Sequence, residues 1–123
     1  MTEYLVATSS VHVTAAAADY LQARINPSED TVVVVAVRED GTRDAGDAAN
    51  VARSRLAAAI PATEIREGDP GEELRAAIEE HDPDVVVVGP NRGTEGATGV
   101  GSTATALLTR ADRPVVVVPL PEL

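Results

Sequence analysis

The sequence predicts an α/β domain in which a single doubly wound, five-stranded parallel sheet carries helices on both faces. Three observations lead there. Four short apolar runs, three of them with four consecutive Val (32–35, 85–88 and 115–118), lack the alternation of a strand with one wet face. Such runs are buried on both sides, as in parallel sheets. Stretches of helical periodicity fill the intervals, and the order β-α-β-α-β-α-β-α-β specifies right-handed crossovers. With 123 residues the whole chain, 1–123, makes one domain.

The strands are Tyr4–Thr8, Thr31–Val37, Val85–Gly89 and Val115–Pro119, with a weaker, alternating run at Thr63–Glu67 that reads as a sheet edge. The first helix spans about 11–25 with Val11, Ala15, Ala18, Leu21 and Ile25 on one face. The second spans about 45–60, turns Ala48, Ala52, Leu56 and Ala59 inward, and is ended by Pro61. The third opens at Asp69 with Pro70 in its first position and Glu72 three residues on, an N-terminal capping pattern, and buries Leu74, Ala77 and Ile78. The fourth starts near Ser102 and carries Ala104, Leu107, Leu108 and Ala111. The charged stretch Arg38–Asp47 is the longest loop and reads as a solvated connection.

Composition narrows the function. There is no Phe or Trp and only two Tyr, so the core is built from Val, Ala, Leu and Ile. Net charge is −10, and every basic residue is Arg. That surface repels nucleic acid and anionic lipid, and it offers no aromatic platform for bases. So much self-repulsion is tolerated best where salt screens it, which points to the salt-rich cytoplasm of a halophile. The chain has no Cys, hence no disulfide and no thiolate chemistry. The N-terminus lacks the pattern of a signal peptide, and no apolar run is long enough for a membrane span, so a cytoplasmic location is expected.

Ligands of open α/β sheets bind beyond the carboxyl ends of the strands, where the winding direction switches. Here the switch falls between the first and fourth strands, which end at Thr8-Ser9-Ser10 and Gly89-Pro90-Asn91. The segment from Gly89 to Thr103 then holds five glycines and leads into a helix with Ser102 and Thr103 at its start. Glycines let backbone N–H groups face a ligand, and a helix start favours an anion. Arg92 is the one cation inside the loop and suits a phosphate in bidentate fashion. Read from its residues alone, the segment is either a phosphate cradle or a flexible linker whose Ser102 caps a helix.

Sharper motifs fail. A Walker loop needs a Lys. Gly99-Val-Gly101-Ser-Thr-Ala104 has dinucleotide spacing, yet it sits late in the chain rather than after the first strand. His12 and His81 are the only histidines and lie near no second ligand of the usual metal sets, so no metal is expected. His81, before Asp82-Pro83, reads as a helix stop, and Glu72/Glu73 and Glu79/Glu80 as solvated faces. No catalytic triad or general base stands out, and an enzyme is not expected.

Taken together, Tyr4-Leu5-Val6-Ala7-Thr8, Glu67-Gly68-Asp69-Pro70 with Leu74, Asp82-Pro83-Asp84 ahead of Val85–Gly89, and Gly101-Ser102 with Arg113-Pro114 and Val115–Val118 resemble the universal stress protein family. The resemblance covers nearly the whole chain and implies strand order 3-2-1-4-5. Nucleotide-binding members of that family carry Gly-x2-Gly-x9-Gly-Ser/Thr in this loop. It implies ATP or AMP (with Mg²⁺ for ATP) held at the phosphates by Gly89, Gly101 and Ser102, with Asn91, Arg92, Gly93 and Thr103 beside them. Thr8 and Ser9 would border the nucleoside, and Val37 would line the adenine pocket. Three departures stand in the sequence: Arg92 fills the second glycine's place with Gly93 one step late, the interval from Gly89 to Gly101 is one residue short, and Ser9 replaces an acidic residue. The family also implies a homodimer through the last strand, Val115, Val116, Val117 and Val118, an apolar edge that invites pairing. The expected function is therefore a stress-response or regulatory protein that binds an adenine nucleotide. Its alternatives are a dimeric interaction module with a degenerate site and a weak ATPase.

Overall fold

The structure is a computed structural model that describes residues 1–8, 11–38, 44–89 and 112–118. Its elements are β1 (Glu3–Thr8), α1 (Val11–Gln22), β2 (Thr31–Arg38), α2 (Asp44–Arg55), β3 (Ala62–Glu67), α3 (Pro70–His81), β4 (Val85–Val88) and β5 (Val115–Val117). They form one five-stranded sheet of order β3-β2-β1-β4-β5, all parallel, as the sequence predicts. The fourth predicted helix, near Ser102, lies outside the described residues.

The Val runs of β2 and β4 behave as doubly covered strands. From Val32 to Val37 every residue is at most 5% exposed. Alternate positions feed two separate clusters. Val6, Val32, Val34 and Val87 pack with Ala17, Ala18 and Leu21 of α1 and Ala52 and Leu56 of α2. Leu5, Val33, Val35, Val37, Val86 and Val88 pack with Leu74 and Ala77 of α3. Because α1 and α2 lie on one face and α3 on the other, the winding direction reverses between β1 and β4.

Boundaries shift where local chemistry intervenes. The first helix ends at Gln22 rather than near Ile25, and its buried stripe is Val13, Thr14, Ala17, Ala18 and Leu21. The predicted stripe was centred one residue off, because small Ala positions at 15–18 define a helical face weakly. The second helix begins at Asp44, inside the predicted loop, and gives way to a 3-10 turn at Ala57–Ala59. Ile60 closes that turn with left-handed angles, φ 48° and ψ 63°, before Pro61. The third helix starts as expected: the Asp69 carboxylate accepts the Glu72 N–H at 3.0 Å with Pro70 in the first turn. It stops at Asp82, which is left-handed and donates its N–H to the Ile78 carbonyl.

At the amino ends of the strands, carboxylates tie the sheet's entrances together. Asp30 accepts the N–H groups of Thr2 and Asn26, each at 2.9 Å, and Asp84 accepts that of Glu3 at 2.9 Å. Arg113 donates to the Asp82 carboxylate at 3.1 Å and the Pro83 carbonyl at 2.9 Å, fastening the approach to β5 beside that to β4. The two sheet edges differ in kind. The β5 edge is three half-buried valines, whereas β3 alternates Thr63, Ile65 and Glu67 with Ala62, Glu64 and Arg66.

Candidate functional site at the carboxyl ends of β1 and β4

The reversal of winding puts the switch point of the sheet at the carboxyl ends of β1 and β4, where open α/β sheets bind ligands. In the β1–β4 ladder Tyr4, Leu5 and Val6 stand beside Val85, Val86 and Val87. Continuing that register sets Thr8 beside Gly89 at the sheet's upper rim, so the structure brings these two predicted residues together. Both are fixed by the first turns of α1. The Thr8 and Thr14 hydroxyls are 2.7 Å apart in a buried hydrogen bond, which satisfies two polar groups in an otherwise aliphatic layer. Gly89 passes so close to α1 that a Cβ built there would lie 2.6 Å from Val13 Cγ1 and 2.9 Å from Val13 Cγ2. A residue with a side chain fits only if the helix retreats or Val13 leaves its rotamer.

Val37 is a different matter. Its side chain is 5% exposed and sits in the α3-side cluster with Leu74 and Val88. It supports the rim from below and does not present an apolar wall to the switch point. The pleat directs its side chain into the core. Ser9, Asn91, Arg92, Gly93, Gly101, Ser102 and Thr103 lie outside the described residues. His12, exposed in the first turn of α1, is an ionisable group close to the rim.

A second constellation was not foreseen. Arg66 of β3 pairs with Glu64 on its own strand and with Glu80 and, at 3.7 Å, Glu73 on α3. His81 Nε2 meets the other Glu64 oxygen at 3.0 Å. So Glu73, Glu80 and His81, read from sequence as solvated faces and a helix stop, converge on the edge strand. Burial pushes the Glu64 carboxyl up, but hydrogen bonds from His81 and Arg66 outweigh it and hold Glu64 below the usual carboxylate range. The i, i+7 spacing of Glu73 and Glu80, opposite alternate charges on β3, was the available signal. Ligand atoms of Glu64, Glu80 and His81 lie within 4.8 Å of one another. However, the Arg66 guanidinium already pairs with both carboxylates, so the cluster is an ion-pair network closing the β3–α3 gap.

The fold defines a doubly wound α/β protein with its switch point between β1 and β4. Comparison carries this further: the chain belongs to the universal stress protein family, whose profile matches residues 4–119. Among solved structures, the chain is similar to universal stress protein UspA from Lactobacillus plantarum (22% identity, TM-score 0.73, covering 95% of this chain and 97% of that one). It is similar to a universal stress protein in complex with cAMP (21%, 0.70, 98% of each chain). It is also similar to a universal stress protein family protein from Arabidopsis thaliana with AMP bound (15%, 0.71, 98% and 93%). No curated protein matches the chain. Among the described residues no helix is long and apolar enough to cross a membrane.

Proposed function

We propose that this protein is a cytoplasmic stress-response or regulatory protein that binds an adenine nucleotide in the crevice between the ends of β1 and β4, without robust turnover. One observation carries the reading. The Thr8–Gly89 rim stands at the reversal of winding, in a fold shared with relatives that hold AMP and cAMP. In this reading Gly89, Gly93, Gly101, Ser102 and Thr103 hold the phosphates, with Arg92 as charge partner and Asn91 beside them. Thr8 and Ser9 border the nucleoside, and the base meets the backbone of β2 near Val37 rather than its side chain. ATP would bring Mg²⁺ with its phosphates; AMP needs none. Two copies pair through Val115–Val118.

The rival is a dimeric interaction module with a degenerate site. Burial of Val37 favours it, because the expected apolar wall of a base pocket is then missing. Thermal-shift measurements with AMP, ATP and ATP–Mg²⁺, at low and molar salt, decide between the two. Free nucleotide at a hundredfold excess over Kd adds about 2.7 kcal/mol to the native state, an easily measured rise in midpoint. Replacing Gly101 by Leu abolishes that rise while leaving the unliganded midpoint in place. No shift at millimolar nucleotide in either salt overturns the nucleotide reading and supports the module.

A further inference from the structure

The outer edge of β3, the terminal strand of the sheet among the described residues, is self-complementary. Strand β3 ends the sheet, and its register with β2 places Thr63 and Ile65 with Val34 and Ala36 on one face, and Glu64 and Arg66 with Val35 and Val37 on the other. The described residues expose three large apolar side chains; Ile60 (86%) and Ile65 (43%) belong to this edge or its approach, and the third is Met1. An edge strand bearing charge normally discourages pairing. Here the charges have both signs and a particular spacing. In an antiparallel pair centred on Ile65, residue numbers across the ladder sum to a constant, so Ile65 faces the partner's Ile65. Glu64 then faces the partner's Arg66, Arg66 faces the partner's Glu64, and Thr63 faces the partner's Glu67. One face carries an alternating square of two carboxylates and two guanidiniums, and the other an apolar contact flanked by polar pairs. Directly opposed unlike charges and apolar pairs are the favourable cross-strand arrangements. A two-fold axis at Ile65 generates all of them at once.

We propose that β3 is an interface with a second copy of this chain, formed by antiparallel pairing about Ile65 and dependent on salt. Charge count sets the salt dependence. Each copy carries a net charge of −10, so two copies repel each other as wholes. The alternating square supplies short-range attraction between opposed groups, while the surplus carboxylates of the two copies repel over longer distances. Screening lengths of about 8 Å at physiological salt and about 3 Å at 1 M leave the contacts and remove the repulsion. The pairing is separate from any through β5, which lies four strands away across the sheet.

The absence of Cys in the natural sequence permits a direct test. Facing residues in an antiparallel ladder have Cα atoms about 4.5–5.5 Å apart, inside the range of about 4.4–6.8 Å that a disulfide spans. Ile65→Cys therefore couples to itself under mild oxidation. Thr63→Cys and Glu67→Cys each sit two residues from the axis and do not couple to themselves, but an equimolar mixture of the two couples across the ladder. In 2 M salt the expected yield of linked dimer from Ile65→Cys, and from the mixture, is at least tenfold that of either Thr63→Cys or Glu67→Cys alone. In 0.05 M salt it falls at least tenfold. Circular dichroism confirms that each variant is folded. Equal coupling by all variants, or a mixture no more reactive than its components, overturns the pairing. Undiminished coupling of Ile65→Cys at low salt overturns the electrostatic account.

Discussion

Gly89→Ala tests whether the crevice rim is set by packing. The added methyl would stand 2.6 Å from Val13 Cγ1, 2.9 Å from Cγ2 and 3.3 Å from Cβ, against the 3.5–4.0 Å at which carbons attract. Relief requires α1 to retreat by about 1 Å or Val13 to leave its rotamer, and overpacking of this kind costs about 1–3 kcal/mol. Retreat is resisted, because Val13 is 7% exposed and the Thr8–Thr14 hydrogen bond pins the same turn. Val13→Ala alone removes two buried methyl groups, about 1.6 kcal/mol at ~0.8 kcal/mol per carbon. In the double variant the two contacts under 3.0 Å disappear, since those atoms are the ones removed. The cycle should therefore show favourable coupling of at least about 1 kcal/mol between positions in contact. Urea unfolding of the four proteins measures it, and thermal midpoints should follow at about 4 °C per kcal/mol for a chain of this size. Additive losses, or a Gly89→Ala protein as stable as its parent, would refute the close approach.

Three further predictions concern the described residues. Ile60 is β-branched, exposed and left-handed, a conformation costing about 1–2 kcal/mol. Ile60→Gly should gain about 0.5–1 kcal/mol after the glycine's extra unfolded-state entropy, whereas Ile60→Ala should gain nothing; thermal melts that rank Ala above Gly contradict this. Gly46, in the first turn of α2 with open space about it, should accept Ala with a gain of about 0.4–1 kcal/mol, and a lower midpoint for Gly46→Ala would count against the helix starting at Asp44. The depressed Glu64 carboxyl fixes a sign: its contribution is present in full above the unfolded value and lost as pH falls through the lower folded value. The stability gap between the parent and Glu64→Gln should therefore be open at pH 5 and close progressively below about pH 4; a constant gap down to pH 2.5 would dismiss the network.

Much of the fold was legible because it rests on patterns with one physical meaning. Four consecutive valines admit no wet face, so β2, β4 and β5 and their parallel arrangement followed from composition and order. Asp69-Pro70 with Glu72 is a local start signal, and the Asp69 cap appears where it was read. What the chain's periodicity could not give is rotation. At 15–18 the first helix is all Ala, and the choice between Ala15 and Ala17 as the inward position depends on Val13 meeting Gly89, a contact between residues 76 positions apart. The Arg66 network escaped for the same reason. Glu73, Glu80 and His81 look solvated on a helix considered alone, and only the sheet brings Glu64 and Arg66 beneath them. Val37 shows the limit of resemblance: a motif names a position at the end of β2, and the pleat decides where its side chain goes.

Gly89 also alters how the glycine-rich segment should be weighed. In the family pattern it is the first of the phosphate-loop glycines, and its presence invites a functional reading. Yet Val13 alone disfavours a side chain there, whether or not a nucleotide ever binds. The glycine's packing role is complete in the empty protein, so its presence is no evidence for a phosphate. Its effect on binding would be indirect: the Gly89 contact and the Thr8–Thr14 bond fix how closely α1 approaches the rim, and so the crevice's width. The two roles make opposite demands of an experiment. A substitution at Gly89 should disturb stability and any affinity together, whereas one at Gly101 should disturb affinity and spare stability. Of the two, only Gly101→Leu can therefore distinguish a nucleotide site from a rim shaped by packing alone.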